Sequence, residues 1–97
     1  MVYKEGMRVP GAHVLAFCKE REAGVDPRVG FTVPRALGNA VARNRIRRRL
    51  REVVRTRLDR LDARWDVVFN PRKTVLKAPI EDLEKEVDRV FRRCKSS

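Results

Sequence analysis

The chain has 97 residues, 24 of them Lys or Arg against 13 Asp or Glu, for a net charge of +11, yet 42% of it is hydrophobic. Patterned apolar runs with few Gly and Pro exclude general disorder, and a chain this short, which buries only about 60 to 70% of its unfolded surface, excludes a large metabolic enzyme. No apolar stretch approaches the ~20 residues that span a bilayer, and the opening MVYKEGMRVPG lacks the apolar centre of a secretory signal, so a single cytosolic domain over 1–97 is expected.

In chain order, Val2-Tyr3 and Met7 to Val9 are ambiguous, compatible with a truncated helix end followed by an edge strand that Pro10-Gly11 stops. His13 to Cys18 is a short apolar run, and Val29 to Val33 alternates apolar residues with small or polar ones, so both predict strands. The charges, Gly24 and Asp26-Pro27 between them supply turn chemistry, and a meander of neighbouring antiparallel strands is the simplest connection. From Asn39 the period changes. Ile46, Leu50, Val53, Val54, Leu58 and Leu61 recur at three- and four-residue steps and predict an amphipathic helix from about Ala40 to about Leu61, with Asn39 as N-cap after the turn at Gly38. Trp65 to Phe69 predicts a strand that Asn70-Pro71 ends. Pro79 suits the first turn of a last helix, with Glu81, Asp82 and Glu84 near its positive end and Ile80, Leu83, Val87, Val90, Phe91 and Cys94 on one face. The order is βββαβα.

Charge is concentrated in one place. Residues 35–64 hold eleven basic residues against three acidic ones, and residues 43–57 alone hold eight arginines against the single acid Glu52. Arg43, Arg47, Arg51 and Arg55 recur every four residues, which on a helix makes a stripe, with Arg48 beside it, on a face different from the apolar one. Such a stripe repels itself unless a polyanion neutralises it, and the guanidinium fork suits phosphate. Nucleic acid is therefore the expected partner. A membrane-surface helix is the other use of a basic amphipathic stretch, but this apolar face carries no Trp or Phe, and flanking strands claim it for a core.

Tyr3, Phe17 and Phe31 lie in the sheet-forming part, where each is either core or a platform for single-stranded bases. His13 stands alone, without a Ser, Cys or carboxylate at motif spacing, and the acids of the last helix balance Lys85, Arg89, Arg92 and Arg93 without forming a metal site. Cys18 and Cys94, 76 positions apart, are expected as reduced thiols.

The ordered set Gly30-Phe31-Thr32-Val33-Pro34-Arg35, Gly38-Asn39-Ala40-Val41 and Arg43-Asn44-Arg45-Ile46-Arg47-Arg48, followed by Arg51-Glu52 and Pro71-Arg72-Lys73, resembles the bacterial ribonuclease P protein family, whose hallmark is the RNR motif. The resemblance covers nearly the whole chain and implies an α+β two-layer sandwich with a mixed four-stranded sheet and a left-handed βαβ crossover, where right-handed is the general rule. It implies a non-catalytic protein subunit that assists a catalytic RNA in removing the 5′ leader of precursor tRNA, with Mg²⁺ held by RNA and substrate and none by the protein. By similarity, Asn39, Arg43, Asn44, Arg45, Arg47, Arg48 and Arg51 would contact the RNA subunit. Tyr3 and Phe17 match positions lining a cleft for the leader, and Phe31 and Arg35 are counted with them. Family members usually carry about 15 to 20 more residues at the front, containing most of a first helix and another leader-facing aromatic. A general RNA- or DNA-binding protein, ribosome-associated or chromosomal, is the alternative, and a monomer is favoured.

Overall fold

The structure is a computed structural model that describes residues 6–20, 28–61 and 65–94. Four strands, β1 (Met7–Pro10), β2 (Val14–Glu20), β3 (Arg28–Phe31) and β4 (Trp65–Pro71), form one sheet in the order β1-β2-β4-β3. Two helices, α1 (Ala40–Arg55) and α2 (Ile80–Arg93), complete an α+β fold, with single 3₁₀ turns at Arg35–Leu37, Leu58–Arg60 and Lys73–Leu76.

The sheet is mixed. β2 pairs antiparallel with β1 and β4, whereas β3 pairs parallel with β4. The expected meander is corrected here, since β4 lies between β2 and β3. A parallel pair needs a long crossover, which α1 supplies between β3 and β4. Turn residues between two strands limit the link, not the neighbour, and β4 with its alternation of buried Trp65, Val67 and Phe69 pairs with both.

β4 also runs through Asn70-Pro71 rather than ending before them. Arg72 N–H donates to His13 O at 2.8 Å on the β2 side, so by alternation the missing N–H of Pro71 falls on the β3 side. There Thr32, just past the end of β3, still donates to Phe69 O at 2.9 Å, and Pro71, which has no N–H for the next rung, ends the ladder at that edge.

Period-two alternation puts Val9, Val14, Ala16, Cys18, Val67 and Phe69 on one side of the sheet. Against them α1 sets Ile46, Leu50, Val53 and Val54, and α2 sets Leu83, Val87, Val90 and Phe91, all buried. Ile80 is 40% exposed and does not join that face. Burying each large apolar side chain is worth about 1.5 to 3 kcal/mol, and these contacts hold both helices to the same side. Phe69 is central, 6.0 Å from the Phe31 ring and 6.3 Å from Phe91.

α1 begins as expected, with Asn39 Oδ1 accepting from Ala42 N–H at 2.9 Å. Its end comes earlier, at Arg55. Thr56 Oγ1 donates to Val53 O at 3.1 Å, the local side-chain bond by which a hydroxyl competes with helix continuation, and Leu58 and Leu61 reach the core from a turn instead. Gly38, at φ 139° and ψ −169°, makes the bend into α1 in a region open only to glycine.

Cys18 and Cys94 are both free and buried, in contact through their thiols. The hydrogen bond to Cys18, aided by burial, holds the Cys94 thiol above the usual range.

Candidate nucleic-acid interface

The arginines of α1 divide by direction. A step of 100° per residue carries the four-residue stripe slowly around the helix, so it starts beside the apolar seam and ends in solvent. Arg43 and Arg47 are half-buried, while Arg51 and Arg55 are exposed. The stripe thus does not stand wholly apart from the apolar face. Arg43 Nε is enclosed and has no hydrogen-bond partner among the described residues. Asn44, Arg45 and Arg48 are exposed, and Asn44 Oδ1 accepts from Arg47 at 3.0 Å, presetting the third arginine of the expected contact set. Asn39 is spent on the N-cap, and Arg35 is exposed in the turn between β3 and α1.

Two of the eight arginines are structural. Arg49 donates to Val75 O at 2.6 Å and fastens α1 to the turn after β4. Arg57, with only 16% of its side chain exposed, reaches Asp88 at 2.8 Å and Glu84 at 3.6 Å. Acids of α2 therefore neutralise cations just beyond the end of α1, which local charge counting missed. Glu86 has a different task, accepting from the backbone N–H groups of His13 and Val14 at 3.0 to 3.1 Å.

His13 is less isolated than its sequence neighbours suggest, because Thr74 Oγ1 lies 2.8 Å from Nδ1. Asp82 is 3.9 Å from Nε2, beyond a hydrogen bond, so no carboxylate orients the ring as a triad requires. Among the described residues no group of three or more His, Cys, Asp or Glu could hold a metal ion. No helix among them is long and apolar enough to cross a membrane.

A second surface lies on the side of the sheet away from the helices. Strand register aligns Arg8, Phe17, Val68 and Gly30 in one row across all four strands. Phe17 is 39% exposed, Val68 is 37% exposed, and Arg8 sits with its guanidinium carbon 5.7 Å from the centre of the Phe17 ring. A Cβ at Gly30 would meet nothing within 4 Å, so the row ends in open space. Phe31 does not share this surface with Phe17. One residue beyond Gly30, it points to the helix side and stacks on Phe69. Tyr3 lies outside the described residues.

Comparison with known proteins agrees with this arrangement. A family model described as Ribonuclease P matches residues 1–95. A ribonuclease P protein component of Symbiobacterium thermophilum is 37% identical over 92 residues, covering 95% of this chain and 80% of the relative. One from Bacillus cereus is 30% identical over the same length and shares. The fold matches the ribonuclease P protein of Thermotoga maritima with a TM-score of 0.80 at 21% identity, over 95% of this chain and 86% of that one. It matches the Staphylococcus aureus protein with a TM-score of 0.74 at 24% identity, over 93% and 82%. With a basic helix carrying Arg43-Asn44-Arg45 against a mixed four-stranded sheet, and a family match along nearly its whole length, the chain belongs to the ribonuclease P protein family.

Proposed function

We propose that this chain, a protein subunit of ribonuclease P, grips the catalytic RNA with the outer side of α1 and lays the 5′ leader of precursor tRNA across the open sheet face. Family membership makes the ribonuclease P RNA its partner and leaves catalysis of endonucleolytic cleavage to that RNA. The division of surfaces is our own. The observation that carries it is the outer side of α1, where Asn44, Arg45, Arg48 and Arg51 are exposed together and Glu52 is the only acid of the helix. Arg43 and Arg47 flank this side, and Asn39 supports it by capping the helix.

Leader binding is supported by Phe17, an exposed aromatic in the centre of a sheet face with a cation over its ring, suited to stacking a base beside a phosphate. Tyr3 is proposed with it from the family resemblance, and Arg35 as a phosphate contact between the two surfaces. Mg²⁺ belongs to the RNA and substrate in this scheme, and the setting is the cytoplasm.

Reconstitution tests the scheme. Added to a ribonuclease P RNA, the chain should lower the Mg²⁺ needed to cut precursor tRNA, and alone it should not cut. Phe17→Ala should weaken binding of precursor with a leader while sparing mature tRNA. Equal losses for both RNAs would assign Phe17 to general stability.

A further inference from the structure

We infer that the groove between β3 and the second half of α1 is a pocket for one unstacked nucleotide, with a base on the outer side of the Phe31 ring and its phosphate on Arg51 and Arg55. The groove has a volume of about 520 Å³, within the usual range for small-ligand sites. Its floor is apolar, made by Phe31, Val54 and Leu58, and its rim is cationic. It lies on the helix side of the sheet and is thus separate from the row through Phe17.

Three observations converge on a nucleotide. Phe31 is half-buried at the free edge of the sheet, with Phe69 stacked at an interplanar angle of 20° on its inner side, so a base on the other side would extend an existing aromatic stack. Arg51 and Arg55 stand one helical turn apart on the rim, both exposed. Arg55 is held by Glu52 at 3.0 Å, whereas Arg51 has no carboxylate within ion-pair distance among the described residues and is left for an anion. A purely apolar partner would have to bury that uncompensated charge, which disfavours it.

The groove also lies where a bound strand would arrive. Arg43, Arg47, Arg51 and Arg55 follow one stripe about 18 Å long at 1.5 Å rise per residue. A single strand tracking the stripe from the RNR motif runs into the groove at its end. This step rests on the assignment of α1 to RNA, whereas the pocket itself does not need the RNA subunit to be tested.

The test is an NMR titration of the full chain with adenosine 5′-monophosphate, with inorganic phosphate at matched ionic strength as control. Methyl signals of Val54 and Leu58 report on the groove, and those of Leu15 and Val68 on the open face. The nucleotide should shift the groove methyls saturably and phosphate should not. Loss of one base stack corresponds to about fivefold or more in affinity, so Phe31→Leu should weaken the nucleotide by at least that factor. Arg51→Ala, at an exposed position outside the core, should weaken it too and keeps the test valid if Phe31→Leu melts early. Shifts confined to Leu15 and Val68, equal shifts with phosphate, or unchanged affinity in Arg51→Ala would overturn the pocket. Failure of the α1 assignment reads out separately, as unchanged affinity of Arg48→Ala for the catalytic RNA, because Arg48 does not line the groove.

Discussion

Arg57 Nε donates to Asp88 Oδ1 at 2.8 Å, and Arg60 reaches the same oxygen at 2.9 Å. The pair ties the turn after α1 to the middle of α2. Arg57→Ala should therefore lower stability by about 1 to 2 kcal/mol, the range for a charged hydrogen bond discounted for partial exposure. Affinity for the catalytic RNA, measured on the folded fraction at fixed salt, should be unchanged. A loss of RNA binding without a loss of melting temperature would place Arg57 in the interface instead.

Arg48 should behave in the opposite way. It is exposed and has no intramolecular partner among the described residues, so Arg48→Ala should leave the melting curve in place. Binding to the catalytic RNA should weaken by roughly 1 to 2 kcal/mol if one charged contact is lost. The logarithmic salt slope should shrink by about one, as expected for a phosphate contact. Binding curves at several salt concentrations check both numbers.

Gly38→Ala tests the entry to α1. At φ 139° a side chain is strained, and its Cβ would stand 3.0 Å from that of Ala42. A cost of roughly 1 to 3 kcal/mol is expected in thermal or urea unfolding. RNA affinity should fall with it only if the helix start shifts.

Glu86→Ala leaves the N–H groups of His13 and Val14 without their acceptor and should cost about 1 to 3 kcal/mol. Gly11→Ala should be comparably harmful, since its Cβ would press on Glu86 and on the Val14 carbonyl. Addition of the two losses in the double variant would show that they act independently, whereas a smaller sum is expected for groups in contact.

Cys18 and Cys94 should be silent toward a bulky thiol reagent in the native protein, both being essentially unexposed. Unfolding should release two thiols. Rapid native labelling of either would mean that the end of α2 opens far more often than the rest of the fold.

Much of the fold was legible in the sequence because its strongest signals are periodic. Ile46 to Val54 and Leu83 to Phe91 specify two helices by their own spacing, and Asn39 caps its helix through a bond only three residues long. What stayed hidden depends on partners far along the chain. The insertion of β4 between β2 and β3 is decided by pairing across some fifty positions, as in Cys18 with Val67, and no local pattern records it. The same holds for the arginines. Arg49 and Arg57 look like Arg48 in sequence, and only Val75 O and Asp88 in the folded state withdraw them from the interface. Phe31 followed a rule that sequence does offer, alternation along a strand, but its side could be fixed only once Phe69 was known to be its neighbour.

The place of β4 in the sheet also sets when the molecule becomes a binding partner during its own synthesis. Among the described residues β2 and β3 share no hydrogen bonds with each other and β3 has no partner strand but β4, so the sheet cannot close until the segment ending at Pro71 has been made. At elongation rates of about 5 to 20 residues per second, the arginine-rich segment waits seconds without the sheet that later orients it. That order makes completion of the last third of the polypeptide the step that turns a cationic segment into a shaped surface.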